Sequence, residues 1–112
     1  MDVYEYNEKY DIITISREQS EYDYRINITP YITIYVTEVN QVVKLEIKRA
    51  KDLLKLKPSE LRNPIFEATI NYNPNDLQLD VKVMTSNTSK KLLSIEREIT
   101  SNIISTQFNY QT

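Results

Sequence analysis

Aspartates at or near predicted turns are the first candidates for chemistry in this sequence. The aspartates in question are Asp11, Asp23, Asp76 and Asp80. Such carboxyl groups could work in pairs as a general acid and a general base, or could hold a hard cation through oxygen. Carboxylates in hairpin turns more often accept hydrogen bonds from backbone N–H groups. The chain contains no histidine that could activate the hydroxyls of Ser16, Ser94 and Ser105. We therefore expect no catalytic residues and a non-enzymatic protein.

Three residue types that active sites depend on are missing altogether. The sequence has no His, no Cys and no Gly. Without imidazole or thiolate, the usual zinc ligands are excluded. Without Gly, phosphate-binding loops, dinucleotide-binding turns and nucleophile elbows lose the residue that tolerates their backbone geometry. We expect no cofactor and no transition metal, and turns made by Asn and Asp.

The length and hydropathy of the chain limit its class. The 112 residues suffice for one domain with a real core, so residues 1–112 are predicted to form a single domain. No apolar run approaches the roughly 20 residues of a membrane span, and the acidic start is unlike a signal peptide. We expect a cytoplasmic protein without a membrane role. A virus or a plasmid is one possible origin of its gene.

The fold class follows from the period of the apolar residues. Period-two alternation rich in Ile, Val, Thr and Tyr predicts strands over 3–6, 12–16, 24–28, 31–36, 42–47, 65–72 and 77–83. Residues 85–90 are polar and predict a loop. The sequence therefore predicts an α+β protein, mainly an antiparallel sheet with one main helix.

That helix is predicted over about 48–57. Ala50, Leu53, Leu54 and Leu56 lie close to one helical face there, and Pro58 ends the pattern. A second apolar segment, 91–105, fits either a helix or two strands around a turn at 100–102. We favour the two strands, because they match an echo of the first half.

The echo relates the openings of two possible half-units, 1–57 and 64–112. Residues 6–15 and 72–81 both show Tyr-Asn, a short turn, Asp and an alternating strand. One interpretation is a diverged duplication whose halves pair as the subunits of a homodimer would. The other is coincidence in a chain of biased composition.

A short run of motifs resembles a known family. The strand 32–36, then Val42-Val43-Lys44-Leu45-Glu46-Ile47 and the segment 49–54 are similar to the family called domain of unknown function 2283. The resemblance is best over residues 4–56, with a partial second copy from about residue 68. It departs from the family pattern before Val42, where the family usually has Gly. The resemblance implies a small sheet packed on a helix and no established activity.

Tyrosine and acidic residues together indicate a candidate binding surface. Seven of the nine Tyr lie within the first 35 residues, and residues 1–41 hold eight acids against three bases. Tyr is favoured at interfaces, although it is also an ordinary strand residue. The candidates for partner binding are Tyr4, Tyr10, Tyr22, Asp23 and Tyr24. We expect a protein-binding regulator or inhibitor, of the kind that antitoxin pairs or mobile elements carry, with a basic protein partner and a homodimeric state.

The alternative surface is basic. Residues 42–62 hold seven bases against three acids, and a phosphate backbone would suit them. The basic residues in question are Lys44, Lys48, Arg49, Lys51, Lys55 and Lys57. This alternative predicts a nucleic-acid-binding module. The net charge of −2 and the acidic first third would repel phosphate, so we expect nucleic acid to be a weaker partner than protein.

Overall fold

The structure of the protein is a computed structural model that describes residues 2–19, 21–74, 76–85, 88–96 and 104–111. Strands make up most of it. In chain order the elements are β1 (Val3–Asn7), β2 (Ile12–Ser16), β3 (Tyr24–Thr29), β4 (Ile32–Val36), β5 (Val42–Lys48), α1 (Ala50–Leu54), α2 (Pro58–Arg62), β6 (Ile65–Asn73), β7 (Asp76–Thr85), β8 (Thr88–Glu96) and β9 (Ile104–Tyr110).

The strands form two antiparallel sheets. Sheet A has the order β1-β2-β5-β4-β3, and sheet B has the order β8-β7-β6-β9. Every pairing within each sheet is antiparallel. The prediction of a mainly antiparallel fold with some helix is confirmed.

The prediction of one main helix over 48–57 is wrong. Lys48 still belongs to β5, and two helices of five residues each follow it. Arg49 and Lys55 flank α1 in the left-handed conformation, with φ of 52° and 54°, and so interrupt the helical backbone. Pro58 begins α2, a position at which its missing N–H costs nothing. No helix in the described ranges has the length and apolar character needed to cross a membrane.

The second half differs from the prediction in one loop. Residues 88–90 begin β8, which pairs with β7 from Thr85↔Thr88 onward, whereas a polar loop over 85–90 was expected. Cross-strand pairing explains the difference, since a polar strand can be held by its neighbour. The strand interpretation of 91–105 holds for β8 and for the start of β9, and residues 97–103 lie outside the described ranges.

In each of the two stretches that carry the echo, an Asn side chain accepts a hydrogen bond from the amide three residues further along. The Tyr10 amide donates to Asn7 Oδ1 at 3.1 Å, and the Asp76 amide donates to Asn73 Oδ1 at 2.9 Å. Beyond the hairpins the pairing differs, because β2 pairs with β5 whereas β7 pairs with β8. The loops also differ in length, because Asn7 pairs with Ile12 whereas Asn73 pairs with Asp76, so the duplication stays a prediction.

One hydrophobic core joins the two sheets. The alternation of β6 shows how it forms, since every second residue of that strand is buried. Each sheet thus has an inner face toward the core and an outer face. The largest fully buried side chains come from both sheets and both helices: Phe66, Phe108, Ile13, Ile15, Ile32, Ile34, Leu45, Ile47, Leu54, Leu61, Ile70 and Leu79.

Candidate functional site

The candidate tyrosines divide into exposed and inward-facing rings. Tyr10 is 63% exposed and Tyr22 is 48% exposed, whereas Tyr4 and Tyr24 are partly buried and pack against the core. Only an exposed ring can gain buried area when a partner binds. Tyr10 and Tyr22 are therefore the two candidate rings with area to offer.

Tyr4 lies between the sheets. Its ring stacks on Tyr110 with centroids 4.6 Å apart and tilts against Phe66 at 5.4 Å. Its hydroxyl donates to the carbonyl oxygen of Leu61 at 2.7 Å, which ties β1 to α2. Burial is the main cause that raises the pKa of Tyr4. These contacts assign Tyr4 to packing.

Tyr24 is held in the same way at the start of β3. Its hydroxyl donates to Asn40 Oδ1, in the turn between β4 and β5. It also forms a hydrogen bond with Tyr72. Burial is the main cause that raises the pKa of Tyr72, and this hydrogen bond is the second. The Tyr24 side chain thus fixes the β4–β5 turn and joins sheet A to sheet B.

Tyr22 lines a cleft in the part of the chain that the structure describes. The cleft has a volume of about 1170 Å³ and opens between the loop after β2 and the β4–β5 turn. Its lining residues are Arg17, Glu18, Gln19, Glu21, Tyr22, Thr37, Gln41 and Val43. Side chains distant in sequence therefore form one concave surface.

Backbone hydrogen bonds hold the two walls of this cleft. The Arg17 amide donates to the carbonyl of Val43 at 2.9 Å, and the Asp23 amide donates to the carbonyl of Val36 at 2.9 Å. The Glu38 amide donates to Asp23 Oδ2 at 2.7 Å, so the carboxylate of Asp23 caps the turn. The cleft is thus built on sheet A and on a cross-linked turn.

The ring of Tyr22 is positioned by its neighbours. It meets Tyr35 edge to face, with centroids 4.8 Å apart and planes at 72°. Lys44 Nζ lies 4.7 Å from the centroid of the Tyr35 ring. Burial raises the pKa of Tyr35, and the neighbouring Glu46 adds to the effect. The ring of Tyr22 is therefore pre-oriented while nearly half of its surface stays accessible.

Carboxylates line the cleft at this end of sheet A, while the cations Lys44 and Arg25 lie beside Tyr35 on the outer face. Glu18 and Glu21 line the cleft, and Glu38 is exposed on the neighbouring turn. Among the lining residues that the structure describes, Arg17 alone is cationic, and it forms an ion pair with Asp2. The cleft consequently combines an aromatic ring with an acidic border.

Tyr10 lies at the opposite end of sheet A. It follows β1 in the turn before β2, where Ile12 pairs with Lys48, whereas the cleft is near the Ser16–Lys44 pair. Lys9 Nζ lies 5.3 Å from the centroid of its ring. The structure therefore brings Tyr22 and Asp23 together and places Tyr10 apart from them.

The six basic candidates also divide. Lys44 and Lys48 lie on the outer face of β5, and Arg49 follows with its guanidinium 5.4 Å from the centroid of the Tyr31 ring. Arg25 pairs across from Tyr35, which pairs with Lys44, and so lies on the same face. The remaining three, Lys51, Lys55 and Lys57, are exposed around α1 and its connection to α2.

Two of the aspartates considered for catalysis, Asp11 and Asp23, accept hydrogen bonds from backbone amides. Asp11 Oδ1 accepts hydrogen bonds from the Tyr6 hydroxyl at 2.7 Å and from the Lys51 amide at 3.1 Å. Asp11 and Asp23 lie at opposite ends of sheet A, so they do not form an acid–base pair. Among the described residues, no group of three or more acidic side chains is placed to hold a metal ion.

Comparisons with known proteins give no further assignment. No family model, no curated protein and no solved structure matches the chain. The resemblance to the domain of unknown function 2283 stays a prediction.

Proposed function

We propose that the protein is a non-enzymatic protein-binding module, a regulator or inhibitor that receives a basic segment of a partner in the cleft beside Tyr22. The observation that supports this most is the exposed, pre-oriented Tyr22 ring on a concave surface bordered by Glu18 and Glu21. Tyr is among the residues that most often anchor interfaces, because its ring offers a large area at little rotamer cost.

Electrostatics favours a cationic segment. Glu21 and Glu38 at this end of sheet A would attract Lys or Arg side chains, whereas an acidic partner would be repelled. Exposed charges of this kind raise the association rate and depend on salt. The uncharged lining residues Gln19, Thr37 and Gln41 add donors and acceptors for the backbone of an extended peptide.

A panel of synthetic peptides tests this function. Fluorescein-labelled peptides of one length and equal apolar content, carrying net positive, zero or net negative charge, would be titrated with the protein at two salt concentrations. We expect binding of the positive peptides alone, weakened by salt. Equal affinity across the panel would contradict the proposal.

Nucleic acid is a second candidate partner because of the outer face of sheet A. Arg25, Lys44, Lys48 and Arg49 lie there near two aromatic rings, Tyr31 and Tyr35. Single-stranded nucleic acid is bound by such combinations of cations and rings. Submicromolar binding of an oligonucleotide that is lost in Lys48→Glu but kept in Lys55→Glu would favour this candidate over the protein partner.

A further inference from the structure

Strand β9 forms one edge of sheet B and carries no protection of its own. Its sequence, Ile104-Ser105-Thr106-Gln107-Phe108-Asn109-Tyr110, has no charged residue and no Pro. Its pairing with β6 runs from Phe66↔Tyr110 to Tyr72↔Ile104 without a bulge. Natural edge strands usually carry a charge, a Pro or a bulge that prevents pairing with another chain. Strand β9 has the composition of a segment that pairs readily.

Two residues from sheet A cover this edge. Arg17 Nη2 donates to the carbonyl oxygen of Gln107 at 2.7 Å, and the Asn109 amide donates to Asp2 Oδ2 at 2.8 Å. These two backbone groups point away from β6, toward the position of an added strand. The two side chains therefore occupy the hydrogen-bonding sites that a further strand would need.

The covering pair is itself held in place. Arg17 and Asp2 form an ion pair, and the guanidinium of Arg17 lies 4.6 Å from the centroid of the Phe108 ring. Asp2 directly precedes β1 and Arg17 directly follows β2, and the Val3↔Ser16 pair keeps the two side by side. The position of the pair is thus fixed by the first hairpin.

We propose that the Asp2–Arg17 pair guards the edge of β9 and prevents it from pairing with β9 of a second copy of this chain. A second copy fits because antiparallel self-pairing centred on Gln107 would place Ser105 opposite Asn109 and would bring no like charges together. The amide side chains of Gln107 and Asn109, which already bond each other at 3.0 Å, would lie along the new strand pair. Arg17 also lines the cleft, so the test below measures self-association and not peptide binding.

The test removes the guard and measures self-association by sedimentation. The variant Asp2→Ala/Arg17→Met loses both polar contacts, and Met keeps an apolar cover over Phe108. We expect it to form assemblies larger than those of the wild type, with an association constant for the added contact at least about tenfold higher, since two edge groups become available. The variant Glu8→Ala/Arg62→Met is the matched control, because it removes the ion pair between the β1–β2 turn and α2, at 2.8 Å, away from β9.

A rescue variant decides whether β9 is the surface involved. Gln107→Lys, added to the unguarded variant, would place like charges opposite each other in the self-paired strand, and it should restore wild-type sedimentation. If Asp2→Ala/Arg17→Met does not fold, the same sedimentation measurement is made on Asp2→Ala. This variant leaves Arg17 over Phe108 and frees the Asn109 amide, so it should also associate more tightly than the wild type. Two results would overturn the proposal. One is unchanged association in the folded unguarded variant, and the other is increased association that Gln107→Lys does not reverse.

Discussion

Replacing Tyr4 by Phe isolates one hydrogen bond between the sheets and the helical segment. The substitution keeps the ring against Tyr110 and Phe66 and removes only the oxygen that donates to the carbonyl of Leu61. A net hydrogen bond contributes about 1 kcal/mol, and an unsatisfied carbonyl of a fully buried residue adds to the loss. We expect Tyr4→Phe to lower the free energy of unfolding by about 1–2 kcal/mol. Tyr4→Ala, which also removes the ring contacts, should cost about 3 kcal/mol or more.

Urea unfolding followed by circular dichroism measures both variants. The matched control is Tyr10→Phe, whose ring is exposed in the β1–β2 turn, and we expect it to change the free energy of unfolding by less than about 0.5 kcal/mol. The slope of unfolding against urea should stay at the wild-type value for Tyr4→Phe. Equal effects of Tyr4→Phe and Tyr10→Phe would refute the assignment of Tyr4 to packing.

Three further predictions concern the whole fold. Burial is the main cause that raises the pKa of Tyr4, Tyr6 and Tyr72, so the folded state favours the neutral phenol. The stability that these groups contribute should be complete below the unfolded pKa of about 10 and should decline above it. Urea unfolding between pH 9 and 11 checks this, and Tyr72→Phe should reduce the decline. Lys55→Gly should stabilise the protein by about 1 kcal/mol, because Gly adopts the left-handed conformation freely, whereas Lys57→Gly, at φ −80°, should not stabilise it. We also expect a homodimer in sedimentation of the wild type, since β3 is an outer strand of sheet A; a monomer at all concentrations would contradict this expectation.

Most strands follow from the sequence because residues of greater and lesser burial alternate along them, as in β2 and β6. The pattern placed β2 at its observed bounds, since Ile13 and Ile15 alternate with half-buried residues. The helices do not follow, because nothing in the residue types shows that Arg49 and Lys55 adopt the left-handed conformation. In a chain without Gly, ordinary residues must take such positions, and tertiary contacts decide which ones.

The candidate site follows from the sequence only in part. The high content of Tyr and acidic residues in the first third of the chain indicates Tyr22 and Asp23. The other wall, from Thr37, Gln41 and Val43, depends on the pairing of β4 with β5 and on the register shift after Tyr35. Long-range pairing of that kind leaves no local signal in the sequence. The same limit applies to Tyr4, because period two shows only that Tyr4 and Tyr6 share a face.

The affinity of a basic peptide for Tyr22 and Tyr10 variants tests the proposed function most directly. Calorimetric titration of the wild type, Tyr22→Ala, Glu21→Lys and Tyr10→Ala with one positively charged peptide would be compared at equal salt. We predict that Tyr22→Ala weakens binding by about 2 kcal/mol, or about thirtyfold in Kd. Glu21→Lys should also weaken binding, and its effect should grow as the salt concentration is lowered. Tyr10→Ala should bind as the wild type does. Wild-type affinity in both Tyr22→Ala and Glu21→Lys, with the fold intact, would contradict the cleft as the binding site.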